Sequence, residues 1–176
     1  MKVADLDFEP LIKAGDIEKR VKEIATEINN DYGNSHPVLV GVLNGCFLFI
    51  ADLVKQINIP CEVTFIKLSS YRGGIASTRE IRNDIGLMVD IKGRNVLVIE
   101  DIVDTGNTAG YLIDKLKANE PASLKLCSLL LKPDALEREI AELKYVGFEI
   151  QNHFVVGYGL DYKELGRNLR DIYVKV

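Results

Sequence analysis

No run of five basic residues occurs anywhere in the 176-residue chain, and its formal net charge is -4. Non-specific attraction to nucleic acid or to an anionic membrane needs a positive field, so both partners are disfavoured. No apolar stretch approaches the roughly 20 residues that cross a bilayer. The opening, "MKVADLDFEP", places Asp5, Asp7 and Glu9 where a secretion signal needs an apolar core, and the expectation is a cytoplasmic protein. Cysteine is scarce. Cys46, Cys61 and Cys127 lie in apolar runs without CxxC or Cys/His ligand spacing, which makes them reduced core residues, not disulfide partners or zinc ligands. The two histidines, His36 and His153, form no pair. Internal repeats, linkers and low-complexity segments are missing as well.

What is present is enough apolar material, 47% of residues, for a single domain spanning 1–176. Helical and strand periods alternate along it. Asp16 can cap a helix whose apolar positions Ile17, Val21, Ile24 and Ile28 recur at helical spacing, and Gly33 ends it. "PVLVGVL" (37–43) reads as a strand buried on both faces. Gly45 opens a helix to about Ile57, and a strand follows at 61–68. The polar stretch 69–84 has two glycines and almost no apolar anchor, and a loop of that length inside a compact domain is usually either functional or a disordered surface connection. Strands are expected at 85–89, 96–101 and 124–131, with a helix at about 108–118 between the last two. "DALEREIAEL" (134–143) reads as a polar helix, with shorter strands near 145–150, 153–157 and 171–175. Strands separated by helices imply an open α/β fold with a mainly parallel sheet covered on both faces, whose ligands sit beyond the carboxyl ends of the strands.

The stretch "VLVIEDIVDTGNT" (96–108) lies at that edge. Four branched apolar residues run into Glu100 and Asp101, a third acid follows at Asp104, and then comes a turn of Thr105, Gly106, Asn107 and Thr108. A turn of small residues entering a helix N-terminus favours an anion such as phosphate, because unpaired N–H groups and the helix dipole converge there. Adjacent carboxylates suit vicinal sugar hydroxyls or a divalent cation. Capping alone needs one or two acids, not three. The turn has no lysine and one glycine, so it is not a GxxxxGK[ST] phosphate loop, and "VGVLNGCF" falls short of GxGxxG. Recognition of a phosphorylated sugar survives.

"VLVIEDIVDTGNT" resembles the phosphoribosyl pyrophosphate motif of type I phosphoribosyltransferases, and the chain from about Phe8 onward is similar to their hypoxanthine-guanine branch. "VLNG" (42–45) resembles that branch's pyrophosphate loop, "SSY" (69–71) the opening of its mobile catalytic loop, "LLLK" the strand ending in a purine-facing lysine, and "HFVVGYGLDYKELGRNL" (153–169) its base- and metal-binding segment. The resemblance implies an open, mainly parallel twisted sheet flanked by helices, with a small hood made by terminal segments. It implies transfer of ribose 5-phosphate from phosphoribosyl pyrophosphate to N9 of hypoxanthine, and of guanine, with Mg²⁺ as cofactor and a homodimer or homotetramer as the assembly.

Site roles follow from the same resemblance. Glu100 and Asp101 would hold the ribose hydroxyls, and with Asp161 form the metal-contacting set. Asp104 would handle the purine's proton and also belong to the phosphoribosyl pyrophosphate-binding set, in which Thr105, Gly106, Asn107 and Thr108 would bind the 5-phosphate. Asn44, Gly45 and Arg167 would hold pyrophosphate, with the Asn44–Gly45 peptide often cis in the family. Ser70 and Tyr71 match the catalytic-loop signature. Lys132 would donate to O6, Phe154 would stack on the purine, and Val155 and Asp161 complete the base subsite. Readings from other classes are an RNA-binding regulator of the same fold, which calls for a basic face, and a sugar-phosphate binding module, which needs none of Asp104, Lys132 and Asp161. Within the enzymes, the alternative is a xanthine- or pyrimidine-using relative.

Overall fold

The computed structural model describes residues 1–70 and 81–176, with side chains described outside 69–85. Its elements are β1 (Lys2–Val3), β2 (Leu6–Ile12), α1 (Ala14–Tyr32), β3 (Val38–Leu43), α2 (Phe47–Val54), β4 (Glu62–Ser70), β5 (Ile81–Ile85), β6 (Asn95–Val103), α3 (Asn107–Lys117), β7 (Ser123–Leu131), β8 (Leu143–Glu149), β9 (Val155–Val156) and β10 (Ile172–Lys175). The main sheet has the order β5-β4-β3-β6-β7-β8. β4, β3, β6, β7 and β8 run parallel, and β5 is antiparallel to β4 on the edge.

Branched apolar runs, interrupted only by Gly41 in β3 and continuous over Val96–Ile99 in β6, are what a doubly covered sheet requires. Val38, Val40 and Val42 join Val96 and Val98 in one cluster with Leu112, Ile113 and Leu116 of α3. Leu39, Leu97 and Ile99 join the opposite cluster with Ile17, Val21 and Ile24 of α1 and Phe49 of α2. Each such side chain contributes roughly 1.5–3 kcal/mol on burial, so both helical layers are anchored to the central strands.

Both ends of the chain build the hood. β1, β2, β10 and β9 form a second, antiparallel sheet, and Val3, Phe8 and Val156 pack together within it. The first turn of α1 is tied to this hood. The Ala14 N–H donates to Asp171 Oδ1 at 2.7 Å, so α1 begins two residues before Asp16, which lies in its first turn instead of capping it. Gly33 ends the helix as expected, its N–H donating to Asn29 O at 3.0 Å.

Three expectations on secondary structure are corrected. The strand placed at 85–89 lies at Ile81–Ile85, and β4 continues to Ser70, so both ends of the expected loop 69–84 are strand; its remainder, 71–80, lies outside the described residues. The helix opened at Gly45 starts at Phe47 and ends at Val54. The polar helix at 134–143 is replaced by one 3-10 turn, Pro133–Ala135, and irregular chain. The cause of the last is tertiary. The Glu137 and Arg138 N–H groups both donate to Thr105 O, at 2.9 and 3.2 Å, and donors used there cannot close a helical ladder.

Because β3, β4, β6 and β7 are parallel, their carboxyl ends meet at one edge. Residues 43–45, 100–108 and Lys132 therefore converge.

Candidate active site

A cavity of about 370 Å³ opens at that edge. Asn44, Gly45, Glu100, Asp101, Asp104, Thr105, Gly106 and Thr108 line it, and Asp161 and Arg167 reach it from the segment between β9 and β10. Leu68, Ile102 and Val103 supply apolar walls that the sequence analysis did not single out. Strand alternation marks them only as core. The cis peptide bond of this region is Leu43–Asn44, one residue before the Asn44–Gly45 peptide expected.

Glu100 is buried and its carboxyl is pushed well above the usual range by desolvation and by the neighbouring Asp101 charge. Asp101 is pushed up to about 6, with burial as the leading cause and backbone N–H donors and Arg167 opposing it. Its carboxylate lies against Gly45, where a Cβ would sit 1.6 Å from Oδ2. Only glycine admits that approach, so the "VLNG" glycine and the "ED" pair are one structural unit.

Raised acid pKa values make the folded chain bind more protons than the unfolded one. The stability associated with Asp101 is therefore greatest below about pH 4 and is lost as pH rises through about 6. Asp101→Asn removes this cost. In Mg²⁺-free buffer without substrate we expect the variant to exceed the parent by on the order of 2 kcal/mol near pH 7.5 and to match it near pH 4. Calorimetric melts at the two pH values check this, and a variant no more stable at pH 7.5 overturns it.

The phosphate turn is shaped by Gly106, whose φ of 80° is left-handed and which precedes α3. The first N–H groups of a helix lack intrahelical partners, and here they open beside Thr105 and Thr108. The Asn107 side chain points away from this turn. It is exposed, lies outside the cavity lining, and donates from Nδ2 to Glu137 Oε2 at 2.6 Å.

Asp104 and Lys132 are brought together. Lys132 Nζ lies 2.8 Å from Asp104 Oδ2, with the lysine side chain 7% exposed and the aspartate 48%. Lys132 leaves the end of β7, its N–H bonded to Val103 O at 3.0 Å, so the ends of β6 and β7 fix the pair. Nothing in a spacing of 28 residues announces it. Arg167 donates to Gly159 O at 2.9 Å and pairs with Asp161 at 2.7 Å and Glu164 at 3.2 Å. The Glu164 N–H in turn donates to Asp161 Oδ2 at 2.9 Å. Phe154 is not a core residue. Its ring is 45% exposed and set edge-on to Tyr162 at 5.7 Å, outside the cavity lining, while Val155 is buried in β9. Ser70 ends β4. Tyr71 lies outside the described residues.

Among the described residues, no three His, Cys, Asp or Glu side chains are grouped to hold a metal by themselves. Glu100, Asp101 and Asp161 line one cavity as separate oxygen donors. That donor set fits Mg²⁺, which takes one or two carboxylates and completes its shell with substrate phosphate oxygens and water. No helix of the described residues is long and apolar enough to cross a membrane.

The phosphoribosyl transferase domain family matches residues 11–163. The chain is similar to the hypoxanthine phosphoribosyltransferase of Haemophilus influenzae, 44% identical over 162 residues, or 90% of each chain. It is also similar to the hypoxanthine-guanine phosphoribosyltransferase of Streptococcus pneumoniae, 46% identical over 159 residues covering 90% of this chain and 88% of that one. A crystal structure of a hypoxanthine-guanine phosphoribosyltransferase from Bacillus anthracis superposes with a TM-score of 0.90 at 37% identity, covering 98% of this chain and all of the other. A cavity built from the "ED" pair, the "DTG" turn and the "VLNG" loop, on a sheet shared along its whole length with such relatives, leaves one assignment: the chain belongs to the phosphoribosyltransferase family, in its hypoxanthine-guanine branch.

Proposed function

We propose that the chain is a purine salvage enzyme that transfers ribose 5-phosphate from phosphoribosyl pyrophosphate to N9 of hypoxanthine, and of guanine, releasing pyrophosphate. The observation that carries the reading is the Lys132–Asp104 pair beside the carboxylate cavity. It sets a donor for a 6-oxo group next to an acid able to exchange a proton, which sugar-phosphate binding alone does not require.

In the reaction the C1′–O bond to pyrophosphate breaks and the N9–C1′ bond forms with inversion. Glu100 and Asp101 accept hydrogen bonds from the ribose hydroxyls. The 5-phosphate occupies the N-terminus of α3, with the Thr105 and Thr108 hydroxyls as added donors. Gly45 and Arg167 hold pyrophosphate, and a guanidinium suits its paired oxygens. Arg167 would release part of its bonding to Asp161 and Glu164 to do so. Asp104 takes the proton from N7 as N9 attacks, while Lys132, with three N–H donors, serves O6 without leaving Asp104. Phe154 stacks on the purine, and the Val155 backbone meets the ring's edge. Mg²⁺ bound with the substrate would stabilise charge on the leaving pyrophosphate.

A product assay tests the reading. The purified chain receives phosphoribosyl pyrophosphate and Mg²⁺ with hypoxanthine, guanine, xanthine, adenine or uracil, and nucleotide is detected by mass. We expect IMP and GMP without AMP or UMP; no nucleotide from any base overturns the proposal. The same reading places the enzyme in the cytoplasm as a homodimer or homotetramer, an assembly supported by the exposed apolar side chains Phe47, Val63 and Phe65.

A further inference from the structure

The segment after the 3-10 turn was expected to be helical and has no part in the roles assigned above. Its backbone is instead spent on the phosphate turn. Thr105 O accepts from two successive N–H groups, Glu137 at 2.9 Å and Arg138 at 3.2 Å. Glu137 also receives the Asn107 side-chain amide at 2.6 Å. Gly106 completes the seam, since a Cβ there would lie 2.4 Å from Arg138 O. The Arg138 guanidinium then crosses α3 to donate to Asp114 Oδ2 at 2.8 Å. One short stretch of chain thus grips the phosphate turn at Thr105, Gly106 and Asn107 and fastens itself further along the helix those residues begin.

Beyond the Gly110 N–H bond to Gly106 O at 2.8 Å and a long Asn107 N–H bond to Thr105 Oγ1 at 3.4 Å, the left-handed turn has little of its own to resist rotation. An anion cradle works when its N–H groups are already aimed, because ordering them on binding costs affinity. We propose that Glu137 is a positioning residue for the 5-phosphate: its carboxylate locks Asn107 and, with its own N–H on Thr105, holds the phosphate turn in the binding conformation. Glu137 does not touch substrate. This rests on the proposed function for the identity of the anion, and it assigns Asn107 to holding the turn instead of supplying a side-chain donor.

The test separates substrate from substrate and position from fold. Glu137→Ala should raise KM for phosphoribosyl pyrophosphate roughly three- to ten-fold, the range of a partly solvated hydrogen bond to a charged group, with KM for hypoxanthine and kcat at saturation within about two-fold of the parent. Glu137→Gln keeps an oxygen acceptor for Asn107 and should recover most of the loss. Calorimetric titration of phosphoribosyl pyrophosphate with Mg²⁺ should show the same shift in Kd, and melts without ligand should agree between Glu137→Ala and parent within about 3 °C. Unchanged KM and Kd for phosphoribosyl pyrophosphate, an equal rise in the hypoxanthine KM, or no recovery in Glu137→Gln overturns the inference. A parent that binds phosphoribosyl pyrophosphate but makes no nucleotide sinks the proposed function alone, because the Kd comparison still decides the role of Glu137. A parent that binds neither sinks both.

Discussion

Asp104→Asn should lower kcat for IMP formation by roughly a hundred- to ten-thousand-fold, the span of a lost general acid/base, while the affinity for phosphoribosyl pyrophosphate changes little. Asparagine keeps the shape and one acceptor oxygen but cannot take a proton. The turn from Thr105 to Thr108 and the acids at 100 and 101 are left as they were, so sugar-phosphate binding has no reason to weaken. The same variant carries a stability penalty. Lys132 is almost wholly buried against Asp104, and its ammonium would face a neutral amide, at a cost of about 1–3 kcal/mol. Single-turnover kinetics with titration of phosphoribosyl pyrophosphate would separate the two effects, and unchanged turnover would remove Asp104 from the proton step.

Lys132→Met acts on the other half of the pair. Methionine matches the unbranched stem and fills the space at the end of β7, but it gives O6 nothing to accept from. We expect kcat/KM for hypoxanthine to fall by about ten- to a hundred-fold, the worth of a hydrogen bond from a charged donor, and the preference over adenine to disappear. Adenine presents a 6-amino donor, which an ammonium repels and a thioether does not. The penalty in stability is smaller than for Asp104→Asn, because the aspartate side chain left behind is half exposed and water solvates it. Rates with hypoxanthine and adenine, measured side by side, decide the matter. A variant that still excludes adenine would show that some other group reads the 6-position.

Much of this site could be read along the chain, and the reason is local. β3, β6 and β7 are recognisable because a strand buried on both faces must be apolar at successive positions, and the acids at 100 and 101 stand out against that run. Gly106 and the threonines identify a helix entrance by turn chemistry alone. What escaped depended on contacts between distant residues. The composition of 134–143 favours a helix, yet the carbonyl of Thr105 captures the donors of Glu137 and Arg138. Asn107 belongs to the motif but turns to Glu137, 30 residues away. The Lys132–Asp104 pair needed the parallel register of β6 and β7, with Val103 opposite Leu131, before two residues with separate assignments became one unit. The edge strand was misplaced because antiparallel pairing of Ile81–Ile85 with β4 leaves no periodic mark in so polar a segment.

The stitching of the two chain ends has a consequence for synthesis. β2 lies between β1 and β10, and the start of α1 is held by Asp171, 157 residues further on. A ribosome making the protein vectorially completes the central strands β3 and β6 while β2 still exposes one unpaired edge and α1 still lacks its distant anchor. The hood can close only after residues 171–175 have left the exit tunnel. Closure then joins β2 to a segment made long after it, so a chain terminated before that point carries a bare β2 edge available to other chains.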